Sequence, residues 1–181
     1  MKLTKLALAA VLAFGVTSMA NAAGGGGNVN FKGSIIDAPC SIAPESLNQE
    51  VDFGAVANTA LVNGGTSAVQ TFKIKLLKCD ITSVPVKNKV KVKFTGAKGG
   101  AAGDSDELLG ITGDAKGASI AMFDGSNQPI KLGVDTGVTD LIAGDNTLNF
   151  SSVLKGHTGT VLADIKEGTF TSIATFALTY Q

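Results

Sequence analysis

The sequence predicts an all-β protein built as an antiparallel sandwich. Segments that alternate apolar and polar residues recur roughly every 10–25 residues, the mark of half-buried strands. Turn residues (Gly, Asn, Asp) stand between these segments, and after residue 22 no stretch shows a convincing 3.6-residue period. Thr and Val are abundant and Trp is absent, a composition that suits short strands joined by tight turns.

The elements follow in chain order. Met1-Lys2-Leu3-Thr4-Lys5 is basic, Leu6 to Val16 is apolar, and Ala20-Asn21-Ala22 is a small-x-small site. These are the three parts of a secretory signal peptide, residues 1–22, and the apolar run is too short to span a bilayer. Ala23 to Gly27 is a Gly-rich start. Asn28 to Ile36 alternates, with Val29, Phe31, Gly33 and Ile35 on one face. Val51 to Val56 reads as a short strand with Gly54 marking a bulge. Val69 to Cys79 sets Phe72, Ile74 and Leu76 opposite Lys73, Lys75 and Leu77, and Lys89 to Phe94 alternates without interruption. Gly96 to Gly117 is loop-rich. Ser119–Phe123 and Pro129–Leu132 are expected to be the arms of a hairpin around Asp124–Asn127. Thr147 to Val153 is a strand introduced by the turn signal Gly144-Asp-Asn146. Gly168 to Gln181 closes the chain, with Phe170, Phe176, Leu178 and Tyr180 all on one face. Together these strands suggest a sandwich of the immunoglobulin kind. Such a terminal strand has no later strand to shield its far edge, which points to cover by another chain.

Removing residues 1–22 leaves 159 residues, enough for one domain with a real core. The remaining 13 Lys and 15 acidic residues give a net charge near −2 (13 − 15). That balance offers nucleic acid or an anionic membrane no electrostatic attraction. Cys40 and Cys79 in an exported chain are expected to pair, two free thiols being the alternative. Closing that loop stabilises a fold by about 4 kcal/mol on the chain-entropy model.

Catalytic chemistry is hard to place. His157 is the sole histidine and stands in a Gly/Thr loop, where a solvated imidazole is expected. One histidine and two paired cysteines exclude a multi-histidine or thiolate metal centre. Asp104-Ser-Asp-Glu107 lacks the spacing of a Ca²⁺ loop and reads as a solvated acidic turn. Ser41 has no local base. Lys87, Lys89, Lys91 and Lys93 sit at strand spacing and read as a wet face or edge charges. The expectation is no enzyme, no cofactor and no metal.

Four segments carry a family resemblance: Phe31-Lys-Gly-Ser-Ile-Ile-Asp-Ala-Pro-Cys-Ser-Ile42, Val51-Asp-Phe-Gly54, Lys78-Cys-Asp80 and Ala174-Thr-Phe-Ala-Leu-Thr-Tyr-Gln181. Gly168 lies fourteenth from the end and Tyr180 is penultimate. With the signal peptide and the cysteine spacing, the chain resembles the major structural pilins of Gram-negative chaperone–usher fimbriae, of the P-pilus and type 1 kind. The match is loose between Gly96 and His157.

The resemblance implies an incomplete immunoglobulin-like sandwich, residues 32–181, that lacks its seventh strand. A hydrophobic groove flanked by the first and last strands would stand open in its place. A periplasmic chaperone would lend a strand to it. At an outer-membrane usher, the N-terminal extension of another subunit would then replace that strand. This is strand addition to a sheet edge, for which chaperone–pilin complexes are an established example. The donor segment would be residues 23–31, with Gly25, Gly27, Val29 and Phe31 facing the neighbour's core. Gly168, Phe170, Phe176, Leu178, Tyr180 and Gln181 would form the groove and the chaperone-contacting edge. The partners implied are copies of this chain, other pilins, the chaperone and the usher, in an extracellular fimbrium that supports cell adhesion.

Three other readings compete. A minor adaptor or anchor pilin would share every one of these features. A secreted carbohydrate-binding sandwich would need room for a lectin domain ahead of the pilin domain if it were a fimbrial tip. An outer-membrane barrel would need aromatic girdles, which a chain with one Tyr and no Trp lacks.

Overall fold

The computed structural model describes residues 27–100 and 107–181. Signal residues 1–22, Gly25 and most of the acidic turn at 104–107 lie outside the described residues. The chain divides into two units, Met1–Ile35 and Ile36–Gln181. In the first, residues 27–35 form no strand, and Val29, Phe31 and Ile35 are exposed. Their alternation is real, but a strand exists only where a second strand accepts its hydrogen bonds.

The second unit is all-β apart from short helical turns. Its strands are β1 (Ser41–Ile42), β2 (Gln70–Cys79), β3 (Lys89–Gly96), β4 (Thr112–Gly113), β5 (Ala118–Asp124), β6 (Thr139–Asp140), β7 (Gly144–Gly156), β8 (Phe170–Thr171) and β9 (Ala174–Tyr180). They make a four-stranded sheet in the order β1-β2-β7-β5, a three-stranded sheet β6-β3-β9 and a pair β4-β8. Among the described residues every strand pairing is antiparallel.

Period-2 patterning explains the main strands. Ile74 and Leu76 of β2 and Val90, Val92 and Phe94 of β3 are buried, while the lysines between them reach solvent. The two sheets meet in an aromatic cluster. Phe72 and Phe150 stack with centroids 5.3 Å apart, and Phe94 packs edge-on against both, at 6.0 and 5.1 Å. Such pairs contribute roughly 0.5–1.5 kcal/mol beyond their buried area. Cys40 and Cys79 form the disulfide, tying the residue before β1 to the end of β2.

Several expectations change at this level. Val51–Val56 is not a strand: Gly54 adopts φ +62° and its N–H donates to Asp52 Oδ1 at 2.7 Å, so the glycine makes a turn, not a bulge. The hairpin forms, but its second arm is reduced to single bridges such as Phe123 with Pro129. β7 runs to thirteen residues and absorbs Gly144-Asp-Asn146. The closing strand breaks at Ser172-Ile173, and Ser172 Oγ donates to the Gly110 carbonyl at 2.6 Å.

Three lysines of the stripe are charge-paired: Lys87 meets Asp37 at 3.1 Å, Lys89 meets Asp140 at 2.6 Å and Lys93 meets Asp135 at 3.3 Å. His157 is half-buried and partnered. Its Nε2 lies 2.9 Å from Oγ of Ser119, a residue only 1% exposed, so the pair holds the 157 loop to β5.

Candidate strand-accepting groove

A groove of about 650 Å³ opens along one side of the sandwich. Residues 46–54 form one wall and residues 168–174, with Phe176, the other. Its floor is apolar: Phe72, Phe94, Leu109, Ile120 and Met122. The wall on the N-terminal side is therefore the segment after the first strand, since β1 itself is only two residues long. Sequence reading missed this wall because its residues pair with no strand. Phe53 was the available signal: it packs on the core and reaches Phe170 of the opposite wall, centroids 6.2 Å apart.

Gly168 shapes the second wall through its backbone. Its φ is +148°, and a Cβ there would stand 2.6 Å from Asp114 Cβ and 2.9 Å from Ala115 N. The chain crosses close enough for the N–H groups of Asp114 and Ala115 to donate to the Thr169 carbonyl at 3.0 and 3.2 Å. Only glycine fits such a crossing without strain.

The rim is set by β9. Lys89 and Gln181 exchange both hydrogen bonds, at 2.9 and 3.0 Å. Antiparallel ladders alternate, so Thr179, Ala177 and Thr175 bond to β3 in the same way. Phe176, Leu178 and Tyr180 then turn their N–H and C=O groups to the outer edge, where no described strand pairs with them. These three residues also point their side chains inward, and each is only half-buried. Phe176 sits at the groove's lip, 6.4 Å from Phe94.

Tyr180 packs against the core, and its hydroxyl is buried without a hydrogen-bond partner. Burial raises its pKa above the ordinary phenol value. Gly168, Phe170 and Phe176 thus line the groove, Leu178 and Tyr180 extend its edge, and Gln181 pairs with β3. Gly27, Val29 and Phe31 belong to the other unit and are exposed there. Among the described residues no cluster of His, Cys, Asp and Glu could hold a metal ion.

An immunoglobulin-like sandwich with one sheet edge open above an apolar groove is the geometry that the family comparison meets. The model of the fimbrial protein family matches residues 29–181. The chain belongs to that family. It is 50% identical to the Fimbria A protein of Serratia marcescens over 182 residues, covering all of both chains. Among solved structures it resembles the P pilus rod subunit PapA, with 32% identity and TM-score 0.68, over 80% of this chain and 100% of that one. It also resembles a subunit from the structure of a chaperone–usher pilus, with 34% identity and TM-score 0.74, over 87% of this chain and 96% of that one. This fimbrial protein is a structural subunit of a bacterial surface fimbria, a major pilin of the chaperone–usher kind, exported through the periplasm into an extracellular fibre.

Proposed function

We propose that this pilin polymerises by donor-strand exchange. Residues 23–31 of one copy enter the groove of another as the strand beyond β9, with Gly25, Gly27, Val29 and Phe31 turned to the acceptor's core. The observation that carries this reading is the outer edge of β9. Its N–H and C=O groups, which no described strand pairs, run beside an apolar trough, the combination an added strand would satisfy. The exposed Val29 and Phe31, 75% and 91% accessible, supply apolar side chains at the strand period such a trough would take.

Before assembly, a periplasmic chaperone covers the same edge, using Tyr180 and Gln181 as its anchor, and an outer-membrane usher brings the exchange about. The finished fimbrium supports adhesion, and the subunit is not an enzyme. Deleting Ala23 to Asn30 tests the assignment. The truncated subunit should co-purify with its chaperone in normal yield and fail to extend a fibre. Normal fibres from the truncated chain would show that the segment is only a tail.

A further inference from the structure

Apolar side chains stand in solvent at one end of the sandwich. Val84, 93% accessible, and Val86 belong to the loop from β2 to β3, Ile142 to the turn between β6 and β7, and Ile36 to the chain that enters β1. Polar contacts gather these segments. The Leu141 N–H donates to the Asn88 carbonyl and the Asp80 N–H to the Pro39 carbonyl, both at 2.8 Å, and Lys87 meets Asp37. The loops are also held in shape. The Thr82 N–H and Ser83 Oγ donate to the Asp80 carboxylate at 2.9 and 2.6 Å. The Asn146 side chain accepts from the Ile142 N–H at 3.0 Å and donates to the Ile142 carbonyl at 2.8 Å. Apolar side chains fixed in water by such clamps form a pre-organised contact surface.

Chain length says what covers it. In the donor-strand reading Phe31 sits in the groove of another copy, and Ile36 follows five residues later. Five extended residues reach about 17 Å at most. The accepting copy therefore stands within that distance of this end, whatever path residues 32–35 take. An added strand pairs best antiparallel. β9 runs from Ala174, beside Gly96, to Tyr180, beside Val90, so an antiparallel donor leaves the groove at the Ala174 end. Leu47 and Ile173 lie on the two walls of the groove there, and both are exposed.

We propose that consecutive copies make a second contact beside the donor strand, in which Val84, Val86 and Ile142 of the donating copy pack on Leu47 and Ile173 of the accepting one. The inference rests on the donor-strand reading. The two surfaces lie at opposite ends of β9, so one copy uses both and the contact repeats along the fibre.

The test has two arms, both on fibres of the mature chain. In the first, chains carrying Val84→Cys and Ile173→Cys together are assembled and treated with a short bis-maleimide. Heating in detergent should then release a ladder of covalently joined subunits, and either single variant should release monomers. No ladder beyond that of the single variants would overturn the contact. In the second, Val84→Asp with Ile142→Asp should leave the subunit's thermal midpoint and its binding of a peptide of residues 23–32 unchanged. Its fibres should come apart in denaturant roughly tenfold faster than wild type, because the two carboxylates enter an apolar contact. A wild-type rate would overturn the contact and leave strand insertion standing. A wild-type rate with lost chaperone capture would assign this surface to the chaperone instead. Normal fibres from the chain lacking residues 23–30 would overturn strand insertion itself, and this inference with it.

Discussion

β5 and β9 are both seven-residue strands at the edge of a sheet, and both pair along their length with a single full neighbour. Ala118 to Met122 of β5 are nevertheless all buried, whereas no residue of β9 is. The difference lies beyond the edge. Leu109 exchanges both backbone hydrogen bonds with Ile120 at 2.8 Å, and the Ile130 N–H donates to the Met122 carbonyl at 2.9 Å, so β5 is capped. Leu108 packs with Ala121 and Val153 over its outer face as well. Among the described residues, β9 has neither cover. Two edges of equal length thus differ in whether described chain lies beyond them.

Four experiments break or sharpen that comparison. The largest effect is expected from Cys40→Ser. The disulfide closes 39 residues of sequence separation, and its loss should cost about 4 kcal/mol. The variant should be degraded in the periplasm, and immunoblots of periplasmic extract check this. Normal accumulation would show that the bridge is dispensable.

Phe94 and Phe176 give the most informative pair, because they touch one another and differ in cover. Phe94→Ala, at 2% exposure, should cost about 3–5 kcal/mol in denaturant unfolding. Phe176→Ala should cost about half as much in the open subunit, where its ring is only half covered. Once a donor peptide fills the groove, the two costs should converge. If they stay apart, the groove is not closed over Phe176.

Tyr180→Ser should weaken chaperone capture more than folding, read as the yield of co-purified complex against thermal stability of the subunit. Unchanged capture would remove Tyr180 from the proposed anchor.

The smallest effect concerns pH. The folded phenol of Tyr180 has a raised pKa, so its burial stabilises the fold fully below the unfolded value near 10. That contribution is lost as pH rises through the folded value. Tyr180→Phe should flatten the fall in stability above about pH 10, and an unchanged profile would place the ring in water.

Much of this fold was legible in the sequence. β2, β3, β7 and β9 could be read from side-chain parity, because each buries one face and wets the other. The disulfide followed from two cysteines in an exported chain. Residues 28–36 and 51–56 have the same alternation yet form no strand. Periodicity reports which face could be buried and says nothing of whether a partner edge is present. The glycine at 54 was misread for a related reason: a turn held by Asp52 and a bulge share one signature. The partner of His157, Ser119, lies 38 residues away, and no local pattern announces it.

The central claim is that the subunit's core is completed by residues 23–31 of another copy. Thermal unfolding of the subunit lacking residues 23–30, with and without a peptide of Ala23 to Lys32, tests it most directly. Filling the groove should raise the midpoint by several degrees or more, in proportion to peptide concentration over its dissociation constant. A Val29→Asp peptide should raise it far less, since it places an unpaired charge against the apolar floor. An unchanged midpoint at saturating native peptide would contradict the account.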